Sequence, residues 1–352
     1  MTRIRETAAE ESLFRNFTVA ESTSHVAEVD ALVCNGDAAA FLRTIPDGFV
    51  RLVASSPPYN IGKPYEHKRG LGDYLEWQAE ILGQCVRVLQ DGGSLCWQVG
   101  NYVESGEIVP LDALFYPLLK DRWGLKLRNR IVWRFEHGLH ARNRLSGRYE
   151  VILWFTKGDD YLFNLDPIRV PQKYPGKLHH KGPHRGTPSG NPLGKNPGDI
   201  WTLLQDERDS QIWDIPNVKC NLPEKTPHPA QVPIELVERL VLALSNPGEV
   251  VLDPFVGVGS TLVAALLHER RAIGVDMQRS YVDIALARLE ALRNGTLRRR
   301  AMGTAKYAPN GNEKIARRPQ EWGAVAGEEY GTIPPLAVRL PGIAESSPRN
   351  RD

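Results

Sequence analysis

Between Asp73 and Leu89 apolar residues recur at threes and fours, with Leu75, Ile81, Leu82, Cys85, Val86 and Leu89 lining one side of a predicted helix. Ahead of it, Ala31–Val33 and Val50–Ala54 are short unbroken apolar runs that fit buried strands, and Asp37–Thr44 is helical between them. Asp91-Gly92-Gly93 reads as the stop of the long helix and Ser94–Val99 as the next strand. Ile131–Phe135 and Val151–Thr156 extend the same sheet. Further on come a helix (Pro233–Leu244), a strand (Val250–Asp253), a helix (Ser260–His268), a strand (Ala272–Val275) and a helix (Tyr281–Leu292). Strands alternating with helices predict an α/β fold built on a doubly wound, mainly parallel sheet.

From Phe163 to Pro229 the texture changes to Pro, Gly, Lys, His and Asn, as in Tyr174-Pro175-Gly176-Lys177. Such a stretch makes no sheet core, and a loop this long is functional or disordered. The two ends of the chain lack apolar periodicity and read as extensions or disorder.

At 352 residues, 41% apolar and 24% charged, the chain is ordinary for a globular protein. Its longest apolar runs, such as Leu262–Leu267, fall far short of the roughly 18 residues that cross a bilayer. Met1–Asp30 carries no apolar secretory core, so a cytoplasmic protein with no membrane partner is expected. Cys34, Cys85, Cys96 and Cys220 form no C-x-x-C pair and are expected to be reduced thiols. The net charge of +2 hides an asymmetry. Residues 120–185 hold 15 Lys or Arg against 6 Asp or Glu, an excess of +9 that leaves −7 for the rest. His137, His140, His179, His180 and His184 lie in the same stretch. A polyanion partner and a merely solvated basic face explain this equally well.

The run Val251-Leu252-Asp253-Pro254-Phe255-Val256-Gly257-Val258-Gly259-Ser260 sets two glycines after a strand and before a helix, where a side chain would obstruct a ligand approaching the backbone. Asp276 closes the next strand, placed to accept from ribose hydroxyls, and together these features point to an adenosine. The third glycine of a dinucleotide loop would fall at 262, which is Leu262. A pyrophosphate needs that close helix approach, whereas S-adenosylmethionine does not. A tight turn with a solvated Asp is the plainer alternative.

Ser56-Pro57-Pro58-Tyr59 follows a strand at the edge where open sheets place their chemistry. Two prolines fix φ, remove two N–H donors and leave carbonyl acceptors on a rigid turn, while Tyr59 offers a flat ring. This suits methylation of an exocyclic amine on a nucleobase. Acceptors at Ser56 and Pro57 hold the amine's hydrogens as its delocalised lone pair turns to the methyl, and Tyr59 stacks on the extruded base. A purely structural Pro-Pro turn is the alternative.

The two motifs together resemble the amino-methyltransferases of DNA, which form N4-methylcytosine or N6-methyladenine with S-adenosylmethionine. The order, catalytic motif first and cofactor loop last, resembles their permuted β class and covers roughly Val33 to Leu292. The resemblance implies catalytic roles for Ser56, Pro57, Pro58 and Tyr59. It implies cofactor binding by Asp253, Phe255, Gly257, Gly259, Ser260, Thr261 and Asp276, by Asp37 and Ala38 near the adenine, and by His228 and Pro229 near the methionine. It divides the chain into an N-terminal extension (1–30), the catalytic half of the methyltransferase domain (31–161), a target-recognition region (162–224), the cofactor-binding half (225–296) and a disordered C-terminal extension (297–352). It also implies double-stranded DNA as partner and a restriction-modification setting with a cognate endonuclease.

Serine at position 56 is typical of the cytosine N4 enzymes, and a hydroxyl that both donates and accepts also reaches the ring nitrogen beside a cytosine amine. Cytosine N4 is therefore expected, with adenine N6 as the alternative. C5 chemistry needs a Pro-Cys nucleophile, and no cysteine here follows a proline. Lys63, Arg142, Arg144 and Arg148 are expected on DNA. His179, His180 and His184 lack a companion carboxylate or thiolate at ligand spacing, so no metal is expected. Trp97, Trp133, Trp154 and Trp213 are expected to pack the core. Methylation of RNA or of a protein amide, dinucleotide-dependent oxidoreduction and non-catalytic DNA binding are the competing functions.

Overall fold

A computed structural model describes residues 30–135, 140–172, 174–201, 218 and 222–304. The two extensions, apart from Asp30 and 297–304, lie outside the described residues, as do His137, Trp213 and Cys220. Within them the chain forms an eight-stranded sheet from β1 (Ala31–Asn35), β2 (Val50–Ser55), β3 (Leu89–Val99), β6 (Lys126–Arg134), β7 (Tyr149–Thr156), β8 (Ile200–Trp201), β9 (Val250–Asp253) and β10 (Arg271–Asp276). A hairpin of β4 (Asn101–Glu104) and β5 (Glu107–Pro110) stands apart. The order across the large sheet is β1-β10-β9-β2-β3-β7-β6-β8. Within it only β7 runs against its neighbours, β3 and β6. The fold is thus the α/β arrangement with a mainly parallel sheet that the strand-helix alternation predicts.

Helices α1 (Ala38–Leu42), α2 (Leu71–Val88) and α3 (Leu111–Trp123) cover one face, where Phe41, Leu82 and Phe115 join the same core as Trp97. Helices α4 (Ile234–Leu244), α5 (Ser260–Leu267) and α6 (Arg279–Arg293) cover the other with Leu236, Val263 and Val282. Sheet strands buried on both faces read as continuous apolar runs, which makes them legible without alternation. Each large aliphatic side chain so buried stabilises the fold by about 1.5–3 kcal/mol. Trp97, Trp133 and Trp154 are all core residues.

The glycines at 92 and 93 do not stop α2. The helix ends at Val88 and β3 starts at once, carrying Asp91-Gly92-Gly93 as an irregularity that shifts its pairing with β2 from Val50↔Leu89 to Leu52↔Ser94. Gly92 holds φ at +73°, donates to the Lys157 carbonyl at 2.7 Å, and a Cβ there would lie 2.2 Å from the Asp160 carbonyl. Glycine is required by that close approach rather than by a helix stop. Helix α3 escapes pattern reading because Pro117 sits inside it, where proline removes a helical hydrogen bond. The irregular stretch adds the two-residue β8 to the sheet edge, pairing with Val132 and Trp133. Among the described residues no helix is long and apolar enough to cross a membrane.

Candidate active site

Strands β1, β2, β3, β9 and β10 run parallel, so their carboxyl ends share one edge, and antiparallel β7 brings its first residues there as well. That edge opens into a cavity of about 840 Å³, lined from the tetrapeptide Ser56–Tyr59 on one side to the loop Asp253–Val258 and Asp276 on the other. The sequence separates these two sets by about 200 positions. The sheet order places β9 directly beside β2 and joins them.

Asp253 is the joint between the two sides. Its Oδ1 accepts from Ser55 Oγ at 2.6 Å and from the Phe255 N–H at 3.0 Å, and its Oδ2 accepts from Thr261 Oγ1 at 2.7 Å. Burial pushes its pKa up to about 6, against the pull of those three donors. Ser260 is likewise turned inward, donating to the Val232 carbonyl at 2.7 Å. Asp253, Ser260 and Thr261, expected to touch the cofactor, all line the cavity, and their polar groups also hold the loop to β2 and to the entry of α4.

The two loop glycines differ in their work. Gly257 (φ +50°) is open toward the cavity, where a Cβ would meet only the His228 ring, 3.6 Å away. Gly259 (φ +79°) is needed for helix packing instead, since a Cβ there would lie 2.9 Å from Ala285 Cβ on α6. The loop N–H groups are largely consumed inside the protein: Phe255 by Asp253, Gly257 by Asp276 Oδ2 at 2.9 Å, and Gly259 by the Val256 carbonyl at 2.8 Å. A pyrophosphate would want those donors. A cofactor without phosphate does not, and the donor set fits S-adenosylmethionine. Asp276 also accepts from the Gln278 N–H at 2.8 Å, and a carboxylate keeps lone pairs for ribose hydroxyls beyond these two bonds.

Asp37 caps α1, accepting from the Ala40 N–H at 2.8 Å, and with Ala38 lines the cavity. Phe255 wedges its ring between Trp77 and Trp97, with centroids 5.7 and 6.1 Å away. His228 and Pro229 line the cavity from the segment before α4. Burial, with the Lys225 cation nearby, lowers His228 to about 4, so the ring is neutral at pH 7. Its Nδ1 accepts from the Ala230 N–H at 3.1 Å, which assigns the proton to Nε2. Tyr65 stacks on His228 at 5.4 Å and Tyr281 meets its edge at 4.4 Å, an aromatic row that sequence reading misses because its members lie on three separate segments.

On the side of the tetrapeptide, Tyr59 donates to Glu150 Oε2 at 3.0 Å and its oxygen lies 2.9 Å from Ser56 Oγ. Gln98 Nε2 donates to the same Glu150 oxygen at 2.6 Å. Burial raises Glu150 above the usual carboxylate range. Gly100 leaves room for the pair, since a Cβ there would lie 3.1 Å from the Tyr59 ring. The Pro58 carbonyl, expected to face outward, is taken by the Tyr74 hydroxyl at 2.8 Å. The Pro57 carbonyl accepts no hydrogen bond among the described residues. Glu150 is inconspicuous in the sequence because it reads as one residue of a strand, and only the β3–β7 pairing brings it under Tyr59.

Residues 136–148 join Phe135 to β7, and Phe135 and Glu150 both line the cavity, so the loop bearing Arg142, Arg144 and Arg148 is anchored at its rim. Arg142 and Arg144 are exposed, and Arg148 is bonded to the Gly147 carbonyl at 2.8 Å. Lys63 is exposed at the cavity mouth. The basic stretch is not one face. Arg130 pairs with Asp112, Lys126 and Arg128 with Asp159, and Arg169 with Asp166, which shifts the unneutralised charge toward the loops.

Residues 50–287 match the model of a DNA methylase family. The chain is 49% identical to the Type II methyltransferase M.BglII of Bacillus subtilis over 72% of its own length and 67% of that protein's. It is 32% identical to the DNA adenine methyltransferase YhdJ of Escherichia coli strain K12, covering 73% and 82%. Among solved structures, the cytosine-N4-specific PvuII DNA methyltransferase shares the fold, with a TM-score of 0.57 at 19% identity over 73% and 86% of the two chains. A DNA modification methylase of Thermus thermophilus, TTHA0409, solved with S-adenosyl-L-methionine, matches with a TM-score of 0.51 at 27% identity over 75% and 94%. These similarities decide for DNA over the RNA, amide and dinucleotide readings. The chain belongs to the amino-methyltransferase family of DNA methylases, of restriction-modification type, with S-adenosylmethionine as its cofactor.

Proposed function

We propose that this DNA methyltransferase modifies the exocyclic N4 of cytosine within a specific duplex sequence. The observation that supports the reading is Ser56 at the head of the tetrapeptide, in the cavity wall, where the family's adenine enzymes more often carry Asp. Adenine N6 is the second reading, supported by the 32% identity to the adenine methyltransferase YhdJ. The similarity to enzymes named Type II methyltransferases supports a cognate endonuclease acting on the same site, and a cytoplasmic place of work beside it.

In this reading Asp37, Ala38, Phe255, Gly257, Asp276, His228 and Pro229 hold the cofactor from the cavity wall. When bound, S-adenosylmethionine would supply an electrophilic methyl group: the amine nitrogen would take it as the sulfonium C–S bond breaks and a neutral thioether leaves, with loss of one proton to solvent. Ser56 and the Pro57 carbonyl orient the amine, and Tyr59 stacks on the flipped base. Lys63, Arg142, Arg144 and Arg148 contact the duplex, and residues 162–224 read its sequence. Nucleosides from DNA of a methylation-free host expressing the protein, separated by mass spectrometry, test the base. N4-methyldeoxycytidine supports the reading, and N6-methyldeoxyadenosine replaces it with the second.

A further inference from the structure

Glu150 is the second residue of β7, across from Trp133 of β6 and one residue before the pair Val99↔Val151, so its carboxyl stands at the sheet edge that carries the chemistry. Two donors converge on its Oε2, the Tyr59 hydroxyl and the Gln98 amide, and Oε1 has no partner among the described residues. With the Gln98 amide donating to it, Oε2 is the acceptor in its contact with Tyr59 as well. Tyr59 has a single hydroxyl hydrogen, and it is spent on Glu150.

The 2.9 Å contact between Tyr59 and Ser56 can then form in one sense only, with Ser56 donating to Tyr59. The one hydrogen of Ser56 is thereby directed into the protein, and what remains for the cavity is an oxygen with free lone pairs. The neighbouring Pro57 carbonyl is a second acceptor with no other partner among the described residues. An exocyclic amine brings two hydrogens and a lone pair. Two acceptors and no competing donor hold both hydrogens and leave the lone pair for the methyl group.

We propose that Glu150 is a positioning residue that sets the direction of the chain Ser56→Tyr59→Glu150 and so makes Ser56 a pure hydrogen-bond acceptor for the target amine. The proposal rests on the amine-methylating reading of this site and not on which base carries the amine. It removes the donation from Ser56 to a ring nitrogen that favoured cytosine on chemical grounds, and explains how a neutral serine does the work of an acceptor-only side chain.

Three variants test it by single-turnover methylation of duplex DNA, with cofactor affinity measured separately by calorimetry. Glu150→Gln keeps an acceptor oxygen for Tyr59 and Gln98, and its rate is expected within about fivefold of the parent, since the bond geometry survives. Glu150→Leu removes the acceptor, frees Tyr59 to donate to Ser56 and is expected to slow transfer on the order of 100-fold with cofactor affinity unchanged. Tyr59→Phe keeps the ring but cuts the chain, and a comparable fall is expected. It stands in if Glu150→Leu loses its fold, as lost cofactor binding would show. A Glu150→Leu or Tyr59→Phe protein at the parental rate overturns the proposal, and so does a Glu150→Gln protein as slow as Glu150→Leu. Both bases present the same amine, so these rate ratios stand whichever methylated nucleoside the parent yields.

Discussion

Asp253 carries a pH-dependent penalty that one substitution should remove. Its carboxyl is buried at the join of β2, β9 and α5, and burial moves its pKa from an ordinary 3.8 to about 6. A folded value above the unfolded one means that its contribution to stability is fully present below about pH 3.8 and is lost as pH rises through about 6. At about 1.36 kcal/mol per tenfold change in the proton equilibrium, the whole loss is about 3 kcal/mol, and about 1 kcal/mol of it falls between pH 5 and 8. Asp253→Asn does not titrate. Its amide oxygen still accepts from Ser55 and Phe255, while its NH₂ meets Thr261, whose hydroxyl then donates to the Ala54 carbonyl 3.4 Å away. Any fixed cost of losing the charged acceptor is the same at every pH. Urea denaturation of both proteins from pH 5 to pH 8 should therefore show the Asn variant gaining on the order of 1 kcal/mol on the parent. A difference that stays flat across this range, or slopes the other way, would refute the placement of Asp253 as a buried, desolvated brace.

Gly259→Ala should lower Tm by about 3 °C or more, because the left-handed backbone and the contact with Ala285 both act on the folded state, while cofactor affinity changes little. Gly257→Ala should weaken cofactor binding, read by calorimetry, since its methyl enters the cavity; equal effects from the two substitutions would contradict this division. Asp276→Ala should also weaken cofactor binding, with loss of the Gly257 anchor adding to loss of the ribose acceptor, and an unchanged affinity would remove Asp276 from the cofactor site. Arg142→Ala and Arg144→Ala should each weaken duplex binding alike for all sequences and reduce the slope of log K against log salt by about 0.9 per lost phosphate contact, and an unchanged slope would place them off the DNA.

Much of the framework is legible in the order of residues alone. The strands Val50–Ser55, Val250–Asp253 and Arg271–Asp276 are buried on both faces, so each announces itself as a largely continuous apolar run. The tetrapeptide and the glycine loop are local motifs whose meaning depends on neighbours in the chain, and both sit at the sheet edge where a parallel fold must put them. Helix α3 is hidden because Pro117 masks a helix that tertiary packing of Phe115 and Leu119 holds in place.

The functions of single polar groups belong to the other category. Whether Asp253 faces a ligand or braces a turn depends on which donors the sheet order brings to it, and Ser55 arrives from about 200 residues away. Gly257 and Gly259 look alike in a motif, yet only the packing of α6 shows that one clears a cavity and the other clears Ala285. Glu150 acquires its role because an antiparallel strand sets its first residues beside the ends of parallel ones, where Tyr59 and Gln98 converge on one oxygen. The sequence by itself carried the family resemblance, the cofactor it implies and the candidate tetrapeptide, since such motifs are read over a few neighbouring residues. Tertiary structure alone decided the direction of the hydrogen bonds that make Ser56 an acceptor, because a hydroxyl donates or accepts according to partners that only folding brings within hydrogen-bonding reach.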